Sequence, residues 1–230
     1  MRIDAQPAYV LHTRPWRETS LLAEIFSRNH GRVALLARGA RRPQSPLRGL
    51  LMGFQPLALS WSGKGEVKTL IKAEWRGGQP LLAGQALFCG YYLNELLMRL
   101  LPREDAHSQL FEGYARILLQ LAFSEGETEA PLRAFERALL GELGYGLTLT
   151  HDRDGAVLEA EHRYHYAIES GSCRVEAGTP GSVSGQTLLD MARDDYRNPA
   201  TRGEAKQLMR RLLAHYLEGA ELESRKLFQA

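Results

Sequence analysis

The sequence predicts an α+β protein: a small closed β-barrel over residues 1–80, then an α-helical domain over residues 81–230. Three observations carry this prediction. Short apolar runs rich in β-branched and aromatic residues, each bounded by turn residues, fill the first part. After Gly77-Gly78-Gln79-Pro80 the apolar pattern changes to a helical period. Charge divides at the same place, with thirteen Lys and Arg against five Asp and Glu over residues 1–80, and sixteen against 22 beyond.

Five strands are expected, at 7–12 (PAYVLH), 20–26 (SLLAEIF), 32–37 (RVALLA), 56–61 (PLALSW) and 66–75 (EVKTLIKAEW). Asn29-His30-Gly31 makes a tight turn between the second and third. Ser62-Gly63-Lys64-Gly65 makes a hairpin loop between the fourth and fifth. The third and fourth are joined by a long arginine-rich connection, within LLARGARRPQSPLRGLL at 35–51. Five strands with one long connection after the third outline an OB-type barrel, in which closure removes the sheet edges. An SH3-like barrel is the nearest structural alternative.

Residues 82–101 are apolar almost all round, which predicts a buried helix ended by Pro102. Residues 108–122 are amphipathic, with Leu110, Tyr114, Ile117, Leu118 and Leu121 on one stripe. A polar loop at 124–129 precedes a helix over 131–143, with Pro131 in its first turn and Gly144 as its cap. Leu132, Phe135, Leu139 and Leu143 form its core stripe. Residues 145–180 are irregular, with hairpin strands at 164–168 and 173–176. Ser184 caps a short helix through residue 192. A last helix spans 203–217, with Leu208, Met209, Leu212 and Tyr216 facing inward.

The composition, 44% apolar and 24% charged, is ordinary for a soluble globular protein. No secretory leader is expected, because Arg2, Asp4 and Gln6 interrupt the N-terminus. No membrane span is expected, because Gln85, Asn94, Glu95 and Arg99 break the most apolar stretch. Cys89 and Cys173 are far apart and offer no disulfide framework. A cytoplasmic protein follows. The basic first part and acidic remainder suggest a polyanion-binding region joined to something else.

Between the first two strands, His12-Thr13-Arg14-Pro15-Trp16-Arg17 reads as a loop that sets an aromatic between two arginines. Single-stranded nucleic acid is held by charge along its backbone and by aromatic faces for its bases. Arg14 and Arg17 could supply charge and Trp16 a face; alternatively Trp16 plugs the end of the barrel. Arg38, Arg41, Arg42 and Arg48 add backbone charge without base-reading geometry, on a connection that glycine and proline keep extended. Lys64, Lys68 and Lys72 are spaced to share one face of the last hairpin. Such a surface predicts sequence-tolerant, salt-sensitive binding.

No P-loop, G-x-S-x-G, H-E-x-x-H or kinase signature is present, and no carboxylate cluster suggests a two-metal nuclease. The chain does not read as an enzyme. Among His151, Asp154, His162, His165 and Cys173, the His162–His165 pair has the spacing of zinc ligands but falls at or in a strand, where positions three apart point to opposite faces, and a lone cysteine cannot complete a tetrathiolate. No metal or other cofactor is expected. On the helix at 131–143, Arg133 and Arg137 lie one turn apart with Leu140 continuing their stripe. Paired arginines beside an apolar groove can hold a carboxylate-ended apolar peptide. Ordinary surface pairing with Glu136 or Glu129 is the simpler reading.

With these pieces in order, the chain resembles the RecO family of bacterial recombination mediators. The resemblance lies in AYVLHTRPWRETSLL (8–22), GRVALLARGAR (31–41), GKGEVKTL (63–70), YYLNELLMRLL (91–101), LRAFERALLGELGYGL (132–147) and LESRKLF (222–228). It implies an N-terminal OB-fold, then a helical domain carrying a small zinc-finger-like insertion at 145–180. It also implies binding of single- and double-stranded DNA and annealing of complementary strands without nucleotide hydrolysis. The implied partners are the acidic tail of single-stranded DNA-binding protein (SSB), RecR and in some settings RecF, which together help load RecA. One departure concerns the metal. Zinc-bearing members carry two CxxC pairs, whereas this chain has His151-Asp152-Arg153-Asp154 and later Cys173. Two other readings stay open: an adaptor that docks acidic protein tails with only weak DNA contact, and an RNA-binding OB protein.

Overall fold

Strand pairing closes the N-terminal part into a five-stranded barrel. The computed structural model describes residues 2–124 and 126–228. The strands are β1 (Arg2–Trp16), β2 (Ser20–Ser27), β3 (Gly31–Ala37), β4 (Leu57–Ser62) and β5 (Val67–Trp75). They run in the order β1-β2-β3-β5-β4, and β4 returns to β1. Every pairing is antiparallel except β3 with β5, where Ala34–Leu36 lie beside Val67–Thr69. That parallel neighbour is why a long connection must follow β3: the chain has to cross to β4 before β5 can lie alongside. The closed OB-like barrel foreseen from the strand pattern is present.

Alternation along the strands fills the barrel with Val10, Ile25, Leu35, Leu59, Trp61 and their neighbours. The outer wall is not left to solvent. On β2, Leu22, Glu24 and Phe26 point outward yet are buried, because two helices cover them. These are α1 (Gly84–Leu100) and α2 (Ser108–Phe123). Tyr9 and Phe26 of the barrel meet Phe111 of α2 with ring centroids 5.5 Å apart. Asn94 of α1 donates through Nδ2 to the Leu11 carbonyl at 2.8 Å, and its Oδ1 accepts from the Tyr114 hydroxyl. Its amide is satisfied at both ends, as a buried amide must be.

The α1–α2 connection is clamped to the barrel. Glu104 N donates to the Arg32 carbonyl at 2.9 Å, Arg103 pairs with Glu24, and Glu104 pairs with Lys68. Gly31 makes this approach possible: it holds φ +60°, and a Cβ there would lie 1.7 Å from the Asp105 carbonyl oxygen.

The contacts divide the chain into two units, residues 1–126 with 222–230, and residues 127–221. Residue 80 marks the change from strand to helix, while the packing groups α1 and α2 with the barrel. The C-terminal 3-10 segment Glu223–Phe228 belongs to the first unit. The Glu95 carboxylate accepts from the backbone N–H groups of Glu223 and Ser224 and from Ser224 Oγ. Burial raises the Glu95 pKa, but the Ser224, Glu223 and Arg99 hydrogen bonds outweigh it and hold the group below its ordinary value.

The second unit contains α3 (Glu129–Glu142), a sheet ordered β7-β6-β8, and two further helices. The strands are β6 (Arg163–Ala167), β7 (Gly171–Val175) and β8 (Val183–Ser184); the helices are α4 (Gly185–Ala192) and α5 (Pro199–Tyr216). Ser184 caps α4 as expected, accepting from Thr187 N. Two starts differ from the sequence reading. α5 begins at Pro199 because the Asn198 side chain accepts from Ala200 N and proline suits the first turn. α3 begins at Glu129, so Pro131 is its third residue, and part of the expected 124–129 loop is helical; Glu125 lies outside the described residues. Among the described residues no helix is long and apolar enough to cross a membrane.

Candidate nucleic-acid interface

One end of the barrel carries a group of exposed arginines that no carboxylate holds among the described residues. β1 is longer than the sequence suggested and runs through Trp16, so residues 12–16 are strand and not loop. The turn is Arg17-Glu18-Thr19, with Arg17 at φ 54°. Pairing of Arg14 with Leu22 and Trp16 with Ser20 extends the β1–β2 ribbon outward, and β2 carries that register on to β3, where Leu21 faces Ala37. The turns after β1 and after β3 therefore meet. Arg41 N donates to the Thr19 carbonyl at 2.8 Å, and Arg41 Nη1 reaches the carbonyls of Arg17 and Glu18 at 3.3 and 3.1 Å. Ala40, fully buried, anchors the second turn in the core.

This arrangement brings together Arg14, Trp16, Arg17, Arg38, Arg41 and Arg42, all exposed. Arg48 is exposed on the 3-10 turn Pro46–Arg48 further along the same connection. That connection is not extended, as the sequence reading had it. Backbone bonds from Arg42 to Gly39, Ser45 to Arg42 and Arg48 to Ser45 fold it into successive turns. Proline and glycine exclude a long helix but suit tight turns. Trp16 is 43% exposed and stands outside the barrel core, so it does not plug the barrel. Trp61 fills that interior instead.

Pairing distinguishes these arginines from several other cations of the same unit, though Lys64, Arg76 and Arg116 are likewise without a carboxylate among the described residues. Arg2, Arg28 and Lys72 each hold a carboxylate at 2.9 Å. Arg32 is half-buried and donates to the Met98 carbonyl at 2.6 Å. Arg14, Arg17, Arg38, Arg41, Arg42 and Arg48 have no carboxylate within 4 Å among the described residues.

The lysines do not join this end. β5 lies parallel to β3, and the hairpin carrying Lys64 precedes β5, so Lys64 sits at the opposite end from Arg38. Nor do Lys64, Lys68 and Lys72 share a face. The β4–β5 register shifts between Ser60 and Trp61, which makes Ile71 an extra residue and reverses the alternation. Lys72 is exposed, while Lys68 is buried with its ammonium on Glu104 and the Gly65 carbonyl.

The peptide groove expected at Arg133, Arg137 and Leu140 is not formed as an open surface. Leu140 is 0% exposed, and Arg133 is buried with its Nη2 on Glu136 at 2.8 Å. Only Arg137 is partly exposed, and it forks onto Asp194 at 3.2 and 2.5 Å. α3 is covered on the side where the stripe was expected to be free. Arg133 Nε and Nη1 nevertheless have no acceptor among the described residues.

In the 145–180 region His165 faces Cys173 across β6–β7. No group of three potential ligands gathers among the described residues. Two donors do not make a four-coordinate zinc site, so these residues do not fit the metal.

Comparison with known proteins agrees with this architecture. The family description "Recombination protein O N terminal" matches residues 1–78, and "Recombination protein O C terminal" matches residues 82–226. The chain belongs to the RecO family. It is 62% identical over 232 residues to the DNA repair protein RecO of Dechloromonas aromatica, covering 99% of this chain and 96% of that one. Identity to the protein of the same name from Aromatoleum aromaticum is 58% over 232 residues, with the same coverage. The RecO match spans both the barrel and the second unit, and both family descriptions are of a recombination protein.

One feature of the first unit escaped the sequence reading. A cavity of about 400 Å³ lies beside β1, lined by residues of β1, the 51–55 segment, Leu81 and Leu82 ahead of α1, and α1 itself. Its apolar residues look like core in sequence, and exposure is not legible from an apolar pattern.

Proposed function

We propose that this protein serves DNA repair and recombination, the role its family membership supports, by holding DNA on the unpaired arginine end of its barrel. The observation that carries the reading is the grouping, on one connected pair of turns and the connection that follows, of six exposed arginines without a carboxylate among the described residues, whereas Arg2, Arg28 and Lys72 are paired. Guanidinium groups fixed at the ends of a rigid barrel neutralise phosphates and leave base edges free. Two strands held this way repel less and can pair, so the protein anneals complementary single strands without hydrolysing nucleotide and also binds duplex. Trp16, exposed beside Arg14 and Arg17, offers a face to one base.

The same reading assigns it the acidic SSB tail, RecR and, in some settings, RecF as partners, a link to RecA loading, a cytoplasmic place of action and no bound metal. The spare Arg133 donors support a carboxylate near α3; the buried Leu140 argues that such a peptide does not lie along an open stripe there.

The test is annealing of two complementary oligonucleotides coated with SSB, without nucleotide, comparing the native protein with Arg38→Ala/Arg42→Ala/Arg48→Ala, which keeps Arg41 and its bonds between the turns. Annealing by the native protein and failure by the folded variant are expected. Equal annealing would remove this end of the barrel from the reading. If neither anneals but both bind SSB, the adaptor reading replaces it. A clear preference for ribose-containing strands would favour RNA.

A further inference from the structure

Two of the three tryptophans are exposed, and the fold brings both to one end of the barrel. Trp61 fills the interior at 3% exposure, whereas Trp16 and Trp75 are 43% and 61% exposed. The parallel pairing of β3 with β5 decides where Trp75 lies. Leu36 stands beside Thr69, so β5 runs on past Thr69 in the direction in which β3 runs on to Arg38. Trp75 is the last residue of β5 and therefore lies at the arginine end. Along that rim come the end of β1 with Trp16, the turn after β3 with Arg38, Arg41 and Arg42, and the end of β5 with Trp75. Cations thus stand between two aromatic residues.

The Trp75 ring is held in place. Its Nε1 donates to Gln55 Oε1 at 3.3 Å, and Gln55 is itself buried. Gly77 lies against the ring edge, where a Cβ would be 3.9 Å from Cζ2 and Cη2. Beyond Thr69, β5 has β4 on one side and no strand paired on the other. Trp61 meets His30 edge-on, but among the described residues no ring packs on Trp75. A fixed, uncovered indole loses little freedom when a second ring stacks on it.

The charge beside it is open to an anion. Glu74 is the neighbouring carboxylate, and Lys72 holds it at 2.9 Å. Arg76 is exposed and has no carboxylate among the described residues. The unpaired arginines of the rim favour a polyanion over an apolar peptide as the occupant of this face.

We propose that Trp75 is a second stacking face for the bases of a single strand, which crosses the rim from Trp16 over the arginines between them. The inference rests on the DNA reading and makes it specific. Arginines neutralise the phosphates of single strands and duplex alike, but an aromatic face takes only a base that has left the duplex stack. The two tryptophans therefore bias the rim toward single strands.

The test follows tryptophan fluorescence in full-length Trp16→Phe, in which Trp75 is the one exposed tryptophan. Oligothymidylate of about 16 nucleotides, the upper site size of one such barrel, is expected to quench it to saturation. Trp16→Phe/Trp75→Phe keeps only buried Trp61 and should show no quenching, while anisotropy of the labelled oligonucleotide still reports binding. With Trp16 in place, Trp75→Ala is expected to weaken oligothymidylate binding about fivefold or more, and Trp75→Phe much less. Neither should change affinity for a blunt duplex. Melting temperatures confirm that the variants stay folded without the Gln55 bond. The inference is overturned, with the DNA reading intact, if oligothymidylate binds Trp16→Phe and leaves its fluorescence unchanged. It is also overturned if Trp75→Ala leaves single-strand affinity unchanged, or weakens single-strand and duplex binding equally. If the native protein binds no oligothymidylate at all, the DNA reading falls and takes the inference with it.

Discussion

Removing Arg38, Arg42 and Arg48 together should change how DNA binding responds to salt more than it changes the fold. All three side chains are exposed and hold no carboxylate among the described residues, so their loss leaves no orphaned partner. If each neutralises one phosphate of a single strand, each contributes about 0.7 to the slope of log K against log salt. The variant's slope is then shallower by about 2. Between about 50 and 200 mM salt, the native protein should lose about 20-fold more affinity than the variant. Anisotropy of a labelled oligothymidylate across that range measures both slopes, with thermal melting as the control for folding. Arg41 is kept because it ties the two turns together through the carbonyls of Arg17 and Glu18. Parallel lines for the two proteins, at any separation, would refute the assignment, because an arginine that touches no phosphate releases no counterion.

Four further outcomes are expected. Trp16→Ala should leave the melting temperature nearly unchanged, since the ring is outside the core; affinity for single strands should fall by the stacking contribution of about 1–3 kcal/mol, measured by anisotropy. Lys68→Ala should lower stability by about 1 kcal/mol in urea titrations, through loss of the Glu104 pair, and leave DNA affinity alone. Arg133→Met should destabilise the protein by about 3–5 kcal/mol, because it breaks a buried pair with Glu136, and urea unfolding reads this directly. The Glu95 carboxylate, held below its ordinary pKa, contributes stability above its unfolded value, and that contribution disappears as pH falls through the folded value. Amide protection at Glu223 and Ser224 should therefore decline in acid, and Glu95→Gln should abolish that pH dependence.

The barrel was legible because strand patterning and turn residues are local. SLLAEIF and RVALLA lie within β2 and β3, and the Asn29-His30-Gly31 turn joins them. What sequence could not show was which outer faces are covered. HTRPW reads as loop because proline is rare inside strands, yet Pro15 occupies the overhanging ribbon end, where one edge has no strand partner. The lysine register failed at a single inserted residue, Ile71, whose bulge no local propensity announces. Arg133 and Leu140 failed for a different reason. The helical period places them on one stripe correctly, but only tertiary packing decides whether a stripe faces solvent, and here it does not.

The covering of the barrel also explains why its charge is concentrated at one end. α2 and the 101–107 segment occupy the outer wall of β2 and β3, and they bring Glu104 and Glu112 to Lys68 and Arg28. Each carboxylate they deliver removes one cation from the surface available to a polyanion. The turns after β1 and β3 receive no such carboxylate; Glu18 lies among them, but its carbonyl is what Arg41 takes. A chain with a net charge of only +2 can therefore still present a concentrated positive field, because its acidic residues are spent elsewhere. On this argument, placing a carboxylate at exposed Gln44, in the arginine connection, should weaken DNA binding by about as much as removing one arginine. The same change at Gln120, exposed on α2, should do nothing. Equal effects at both positions would mean that overall charge, and not its location at the barrel end, governs binding.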